Sequence, residues 1–137
     1  MKPVLALLVI AVGTALGFAA TIAAGQSAAA TTTVAIHYSR FTTNIITATA
    51  GVPLTITLRN DDPIEHEWIV GSDAMHERHR TGTEPFHDQV PTEVTVPALS
   101  TRVTTVILNQ PGDYAFICHL PGHEAYGMRG VLRVIAP

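Results

Sequence analysis

The chain has 137 residues, 47% of them hydrophobic, with eight basic and 11 acidic residues and a formal net charge of −3. That length holds one domain once any leader is removed, and with no basic stripe along it a nucleic-acid binder is excluded. The single cysteine, Cys118, excludes an intrachain disulfide, so in an oxidising compartment its thiol must be buried or chemically occupied.

Residues 1–30 have the pattern of a signal peptide or an N-terminal membrane anchor. Lys2 gives a short positive start, Val4 to Ala24 carries no charge, and Ala28-Ala29-Ala30 offers a small-residue cleavage site. The apolar run is also long enough to span a bilayer. Both outcomes put residues 31–137 outside the cytoplasmic membrane: periplasmic, extracellular or anchored to its outer side. The leader has no cysteine to acylate. Lys2 is the only lysine, so the remainder keeps seven basic residues against 11 acidic ones, a balance of 7 − 11 = −4.

From Thr33 onward the pattern is that of short strands. Val34, Ile36 and Tyr38 alternate with Ala35 and His37, which sets His37 on the exposed side of an edge strand. After the turn Ala50-Gly51-Val52-Pro53, Leu54, Ile56 and Leu58 alternate with threonines. Asn60-Asp61-Asp62-Pro63 ends that strand, and His66 opens the next, with Trp68 and Val70. Asp61, Asp62, Glu65 and Glu67 form an acidic run, expected as a solvated turn or as a docking surface for a basic redox partner. Val94 and Val96 follow, then Val103 to Leu108, then the turn Pro111-Gly112-Asp113. Tyr114, Phe116 and Cys118 share one face of the following strand, and Val131 to Ile135 makes the last. Seven or eight such runs punctuated by Gly, Pro and Asn predict an all-β Greek-key sandwich.

Ser72 to Gln89 breaks the alternation. Ser72 or Asp73 caps a predicted short helix over Ala74 to Arg80, inside a loop insertion long enough to suggest a purpose. Met75, His76, His79 and His87 crowd into it. On a helix, His76 and His79 lie one turn apart on one face, and His87 could return to them through the turn around Gly82 and Pro85. Imidazoles so arranged suit Cu(II) or Zn(II), giving a second, weaker metal site; the alternative is a solvated loop whose histidines touch nothing.

The residues after the last aromatic strand carry the chemistry. Four residues separate Cys118 from His123, and four more separate His123 from Met128, with Pro121, Gly122 and Gly127 as turn-formers. A tight loop then turns a thiolate, an imidazole and a thioether inward. These are most of a type 1 copper site, which is trigonal in two His and one Cys with a long axial Met. His66 is the best second histidine by its order and context. His119, next to Cys118, points to the other side of the strand, as a supporting, partner-facing or simply exposed residue.

Tyr114-Ala115-Phe116-Ile117-Cys118 with Pro121-Gly122-His123 and Gly127-Met128 resembles the C-terminal signature of the cupredoxins. The spacing is closest to the rusticyanin and sulfocyanin-like members, and Ala50 to Pro53 and Asn60 with His66 resemble the upstream half. The resemblance covers Val34 to Ile135 apart from the loop at 72–89. It implies a β-sandwich, one copper ion held by His66, Cys118, His123 and axial Met128, and one-electron transfer to redox protein partners. Many members carry Asn or Ser directly after the first histidine, where it helps tie down the cysteine loop; here the residue is Glu67. Multicopper oxidases share the Cys-His start, but they place a histidine directly before the cysteine, where this chain has Ile117. Their His-x-His motifs are absent as well. A Cys118–His119 nucleophile lacks an orienting group, and a closed zinc site is poorly served by Met, so the chain is not expected to be an enzyme. It is expected to be a monomer. The rival function is an envelope copper carrier or storage protein.

Overall fold

The period-two runs become strands packed as two sheets. A computed structural model describes residues 29–84, 88 and 90–137. The predicted leader lies almost wholly outside the described residues, as does His87.

In chain order the described elements are β1 (Ala30–Ile36), β2 (Ile45–Thr49), β3 (Leu54–Asn60), β4 (His66–Gly71), α1 (Asp73–Thr81), β5 (Glu93–Val96), β6 (Thr101–Val106), β7 (Gly112–Ile117) and β8 (Arg129–Ile135). One sheet has the order β1-β3-β6 and the other β2-β8-β7-β4-β5. β1 runs parallel to β3 and β2 parallel to β8; the other pairings are antiparallel. The alternating residues Val34, Ile36, Ile56 and Leu58 meet Trp68 and Phe116 between the sheets, all fully buried. Each such side chain contributes about 1.5–3 kcal/mol of burial, so the sandwich forms a rigid base for the loops at its end.

β1 is shorter than the alternation suggests. Tyr38 was expected to continue it, but Tyr38 and Ser39 both have φ of 52° and Tyr38 is 81% exposed. The left-handed backbone costs about 1–2 kcal/mol per residue. The Asp62 carboxylate offsets it, accepting the Tyr38 N–H at 2.7 Å and the Ser39 N–H at 2.8 Å. A long-range contact thus ends a strand whose local pattern would carry on.

The insertion holds the predicted helix. The Ser72 hydroxyl accepts the Met75 N–H at 3.3 Å, and Gly82 closes the helix in the left-handed conformation with φ of 64°. Asp73 in the first turn and Arg78, His79 and Arg80 in the last complement the helix dipole. Gly71, at the end of β4, has no Cβ to collide with Met75, so α1 folds straight back over the sheet.

Candidate metal centre

Two loops meet at one end of the sandwich. The first is the turn between β3 and β4. Asn60, buried at its base, donates from Nδ2 to the carbonyls of Ile64 at 2.8 Å and of Val96 and Pro97 at 3.0 Å, and its Oδ1 accepts the Asp62 N–H. This fixes Asp62, which faces His66 one helical-type step ahead: His66 Nε2 lies 2.9 Å from Asp62 Oδ2. Assigning the Nε2 proton to this contact leaves His66 Nδ1 as the lone-pair atom. Burial alone would raise the Asp62 carboxyl, but the N–H groups of Ser39 and Tyr38 and the His66 ring hold it below the usual carboxylate range.

The second loop joins β7 to β8. The Cys118 N–H donates to the Met128 carbonyl at 3.2 Å, and the Met128 N–H donates to the His123 carbonyl at 3.0 Å. These bonds draw the three residues into one closed turn. Gly122 and Gly127, with φ of 86° and 88°, take the left-handed positions that let the chain reverse twice within it.

The donor atoms converge. Cys118 Sγ is 3.2 Å from His123 Nδ1, and His123 Nδ1 is 3.3 Å from His66 Nδ1. All three atoms lie within 4.8 Å of one another. A first-row ion about 2.0–2.3 Å from each of three trigonal donors would sit among donor–donor edges of roughly 3.5–3.8 Å, so the set is nearly preformed. His66, Cys118 and Met128 are fully buried, while His123 is only half-buried at the surface. Burial pushes the Cys118 thiol up to about 11, against the opposing pull of the Glu67 and Leu120 N–H groups. A raised pKa disfavours the thiolate in the metal-free protein, and a bound cation at the sulfur would favour it. Burial, and then the neighbouring His66, lower the pKa of His123, keeping its imidazole neutral as a ligand must be.

Asp62 and Glu67 behave otherwise than the sequence suggested, and His119 takes the supporting place among its alternatives. Asp62 and Glu67 are buried, so only half of the acidic run is solvated; Asp61 and Glu65 are exposed, and Asp61 is paired with Arg59 at 3.0 Å. Glu67 supplies the tie that Asn or Ser provides in many cupredoxins. Its N–H donates to Cys118 Sγ at 3.4 Å, and its Oε2 accepts the His119 N–H at 3.3 Å. His119 points away from Cys118, as its strand position predicts, yet its side chain is only 6% exposed because α1 covers it. His76 Nε2 donates to the Ala115 carbonyl at 3.1 Å, which leaves its Nδ1 to accept from His119 Nε2 at 2.9 Å. Arg80 grips Glu124 through two bonds of 2.9 and 2.7 Å, so the helix is clamped onto the ligand loop. With both ring nitrogens of His76 engaged, the expected His76–His79 donor pair does not form; His79 turns instead to Glu84 and Glu93. Asp62 was legible as an acid four residues ahead of His66. Glu84 and Glu93 had no local signal.

Buried His66 at the head of β4, buried Cys118 and half-buried His123 on the loop after β7 come together at one end of a β-sandwich and are positioned for a single type 1 copper ion. The chain belongs to the cupredoxins: the family model for the cupredoxin-like domain matches residues 8–134. Among solved structures it is similar to auracyanin B, with 22% identity and a TM-score of 0.63 over 80% of this chain and 91% of that one. It is likewise similar to a dithionite-reduced auracyanin of Roseiflexus castenholzii, with 21% identity and a TM-score of 0.65 over 80% and 99% of the two chains. For auracyanin A of Chloroflexus aurantiacus, a "blue" copper protein, the values are 22% and 0.63 over 79% and 100%. At these identities the likeness is one of fold. No curated protein matches significantly in sequence.

Proposed function

We propose that this chain carries single electrons through a mononuclear type 1 copper centre outside the cytoplasmic membrane, with His66, Cys118 and His123 as equatorial ligands and Met128 as the axial one. The observation that carries the reading is the convergence of Cys118 Sγ, His123 Nδ1 and His66 Nδ1 at 3.2 and 3.3 Å in a buried pocket. Copper bound there supplies a Cu(II)/Cu(I) couple. The protein's part is to keep the donors still. Asp62 orients His66, the Glu67 N–H steadies the sulfur, and the Arg80–Glu124 clamp holds the loop. A site that does not rearrange between oxidation states exchanges electrons with little reorganisation.

Burial also favours electron transfer over copper carriage. A carrier passes its ion by ligand exchange, which needs an incoming donor to reach the metal. Here His66, Cys118 and Met128 have no exposed surface, and only His123 reaches the outside. Electrons can leave by that imidazole edge where ligands cannot enter. Tyr38, Ile64, Leu99 and Tyr126 are exposed apolar side chains on the loops around this end. They support docking of a redox protein partner on an apolar rather than an acidic face. The signal-like residues 1–30 support export.

The test is the visible spectrum of the copper-loaded protein. An intense thiolate-to-copper band is expected, and Cys118→Ser should remove it. A colourless wild type holding Cu(II) would sink the proposal.

A further inference from the structure

Away from the copper ligands, His79 on α1, Glu84 just beyond the helix and Glu93 at the start of β5 converge on one point. Glu84 Oε1 lies 2.6 Å and Glu93 Oε2 3.8 Å from His79 Nε2, and one ligand atom from each residue falls within 4.8 Å of the others. The His79 side chain is 1% exposed and each glutamate 10%. His79 Nδ1 donates to the Met75 carbonyl at 3.0 Å, which directs the lone pair of a neutral ring, on Nε2, toward the two carboxylates. A backbone carbonyl behind the ring is the usual support of a metal-bound histidine.

A buried ion pair is the competing account, and two features count against it. Glu84 Oε1 and Glu93 Oε2 have no hydrogen-bond partner among the described residues, although Glu84 stands so close to the imidazole. The approach is short but not aligned along an N–H direction, as happens when donors aim at a common third point. Charge points the same way. Two ionised carboxylates with one imidazole carry a net −2 or −1, and buried charge is kept only when paired or bound to metal. A divalent ion brings the neutral-imidazole trio to zero.

We propose that His79, Glu84 and Glu93 form a second metal site, for a divalent first-row ion of the zinc(II) type. One imidazole and two carboxylate oxygens are hard-to-borderline donors, suited to Zn(II) and unsuited to Cu(I), which selects thiolate and thioether. Bonds of about 2.0–2.2 Å in a tetrahedral array give donor–donor edges near 3.3 Å, so the 2.6 Å edge opens by under about 1 Å and the 3.8 Å edge closes by less. Three protein ligands leave one position for water. His79 also lines an open groove of about 420 Å³ between α1 and the loop after Cys118, which gives an ion a way in. The site would pin the end of the helix and the strand β5 to each other. It is independent of the copper reading, since it shares no ligand with that centre.

The experiment is a calorimetric titration of zinc(II) into the full protein already loaded with copper, with the blue band recorded throughout. One further equivalent should bind while the band is unchanged. Glu84→Gln with Glu93→Gln should weaken zinc by at least about 10- to 100-fold, the loss expected even for residues that merely support a ligand. The same variant should keep its blue band, which reports an intact fold. Zinc should also raise the thermal midpoint of the wild type. The proposal is overturned if no zinc binds at micromolar concentration, if zinc bleaches the band by displacing copper, or if the double variant binds as tightly as the wild type. Should that variant fail to fold, a wild-type midpoint indifferent to zinc overturns it equally.

Discussion

Replacing Asp62 by Asn tests how the protein sets its redox balance. Asp62 accepts three contacts, from the Tyr38 and Ser39 N–H groups at 2.7 and 2.8 Å and from His66 Nε2 at 2.9 Å. An asparagine has one acceptor oxygen and one NH2 group in the same space. Whichever way it turns, its NH2 faces a donor, and at least one charge-assisted bond is lost. The expected destabilisation is about 1.5–3 kcal/mol. The redox effect has a separate origin. A carboxylate behind His66 makes the imidazole a stronger donor and favours Cu(II) over Cu(I). Loss of such a partner weakens metal binding about 10- to 100-fold. If the oxidised state bears the whole of that loss, at about 59 mV per tenfold for one electron, the potential rises by roughly 60–120 mV. The assay is a redox titration followed at the blue band, with a urea melt run in parallel. A folded variant whose potential stays within about 20 mV of the wild type, a third of one such tenfold step, would refute the role given to Asp62.

Met128→Leu should keep the colour and raise the potential, because a weak axial donor that favours Cu(II) is lost; a lowered potential would contradict the assignment. External imidazole should restore the blue spectrum to His123→Gly, whose gap opens at the surface, but not to His66→Gly, whose gap is fully enclosed. Rescue of both or of neither would show that the exposure argument is wrong. Burial lowers the pKa of His76, and burial followed by the neighbouring His76 lowers that of His119 to about 4. The unfolded chain therefore takes up these protons first, and the metal-free protein should lose stability as pH falls through 6.5 toward about 4. His119→Gln should flatten that slope in urea titrations, and an equal slope in the variant would count against it.

The sheet layers, the cysteine loop and the cap of α1 were readable in the sequence because each rests on near neighbours. Alternation needs residues two apart, the Cys118–Met128 turn needs eleven consecutive ones, and Ser72 caps a helix it adjoins. What escaped depends on contacts across the fold. Tyr38 left its strand because Asp62, 24 residues away, captures its N–H. Asp62 and Glu67 looked solvated because charge in a Pro-containing turn usually is; their partners, Ser39 and Cys118, are brought in by other strands. His76 and His79 were paired by helical geometry alone. Tertiary packing then gave His76 to His119 on the β7 loop, and His79 to glutamates on either side of the insertion's far end.

The ligand loop closes against β8, the last of the described strands, which lies between β2 and β7. His66 and His123 are 57 residues apart, so they meet only after a long segment has been folded back. A chain that stops short of Met128 retains His66 but has no finished loop to face it. Metal capture thus requires both segments to be in place, and bound copper reports that they have met. A copy whose loop between β7 and β8 is not closed should stay colourless, while a blue molecule is one in which that loop has met the head of β4.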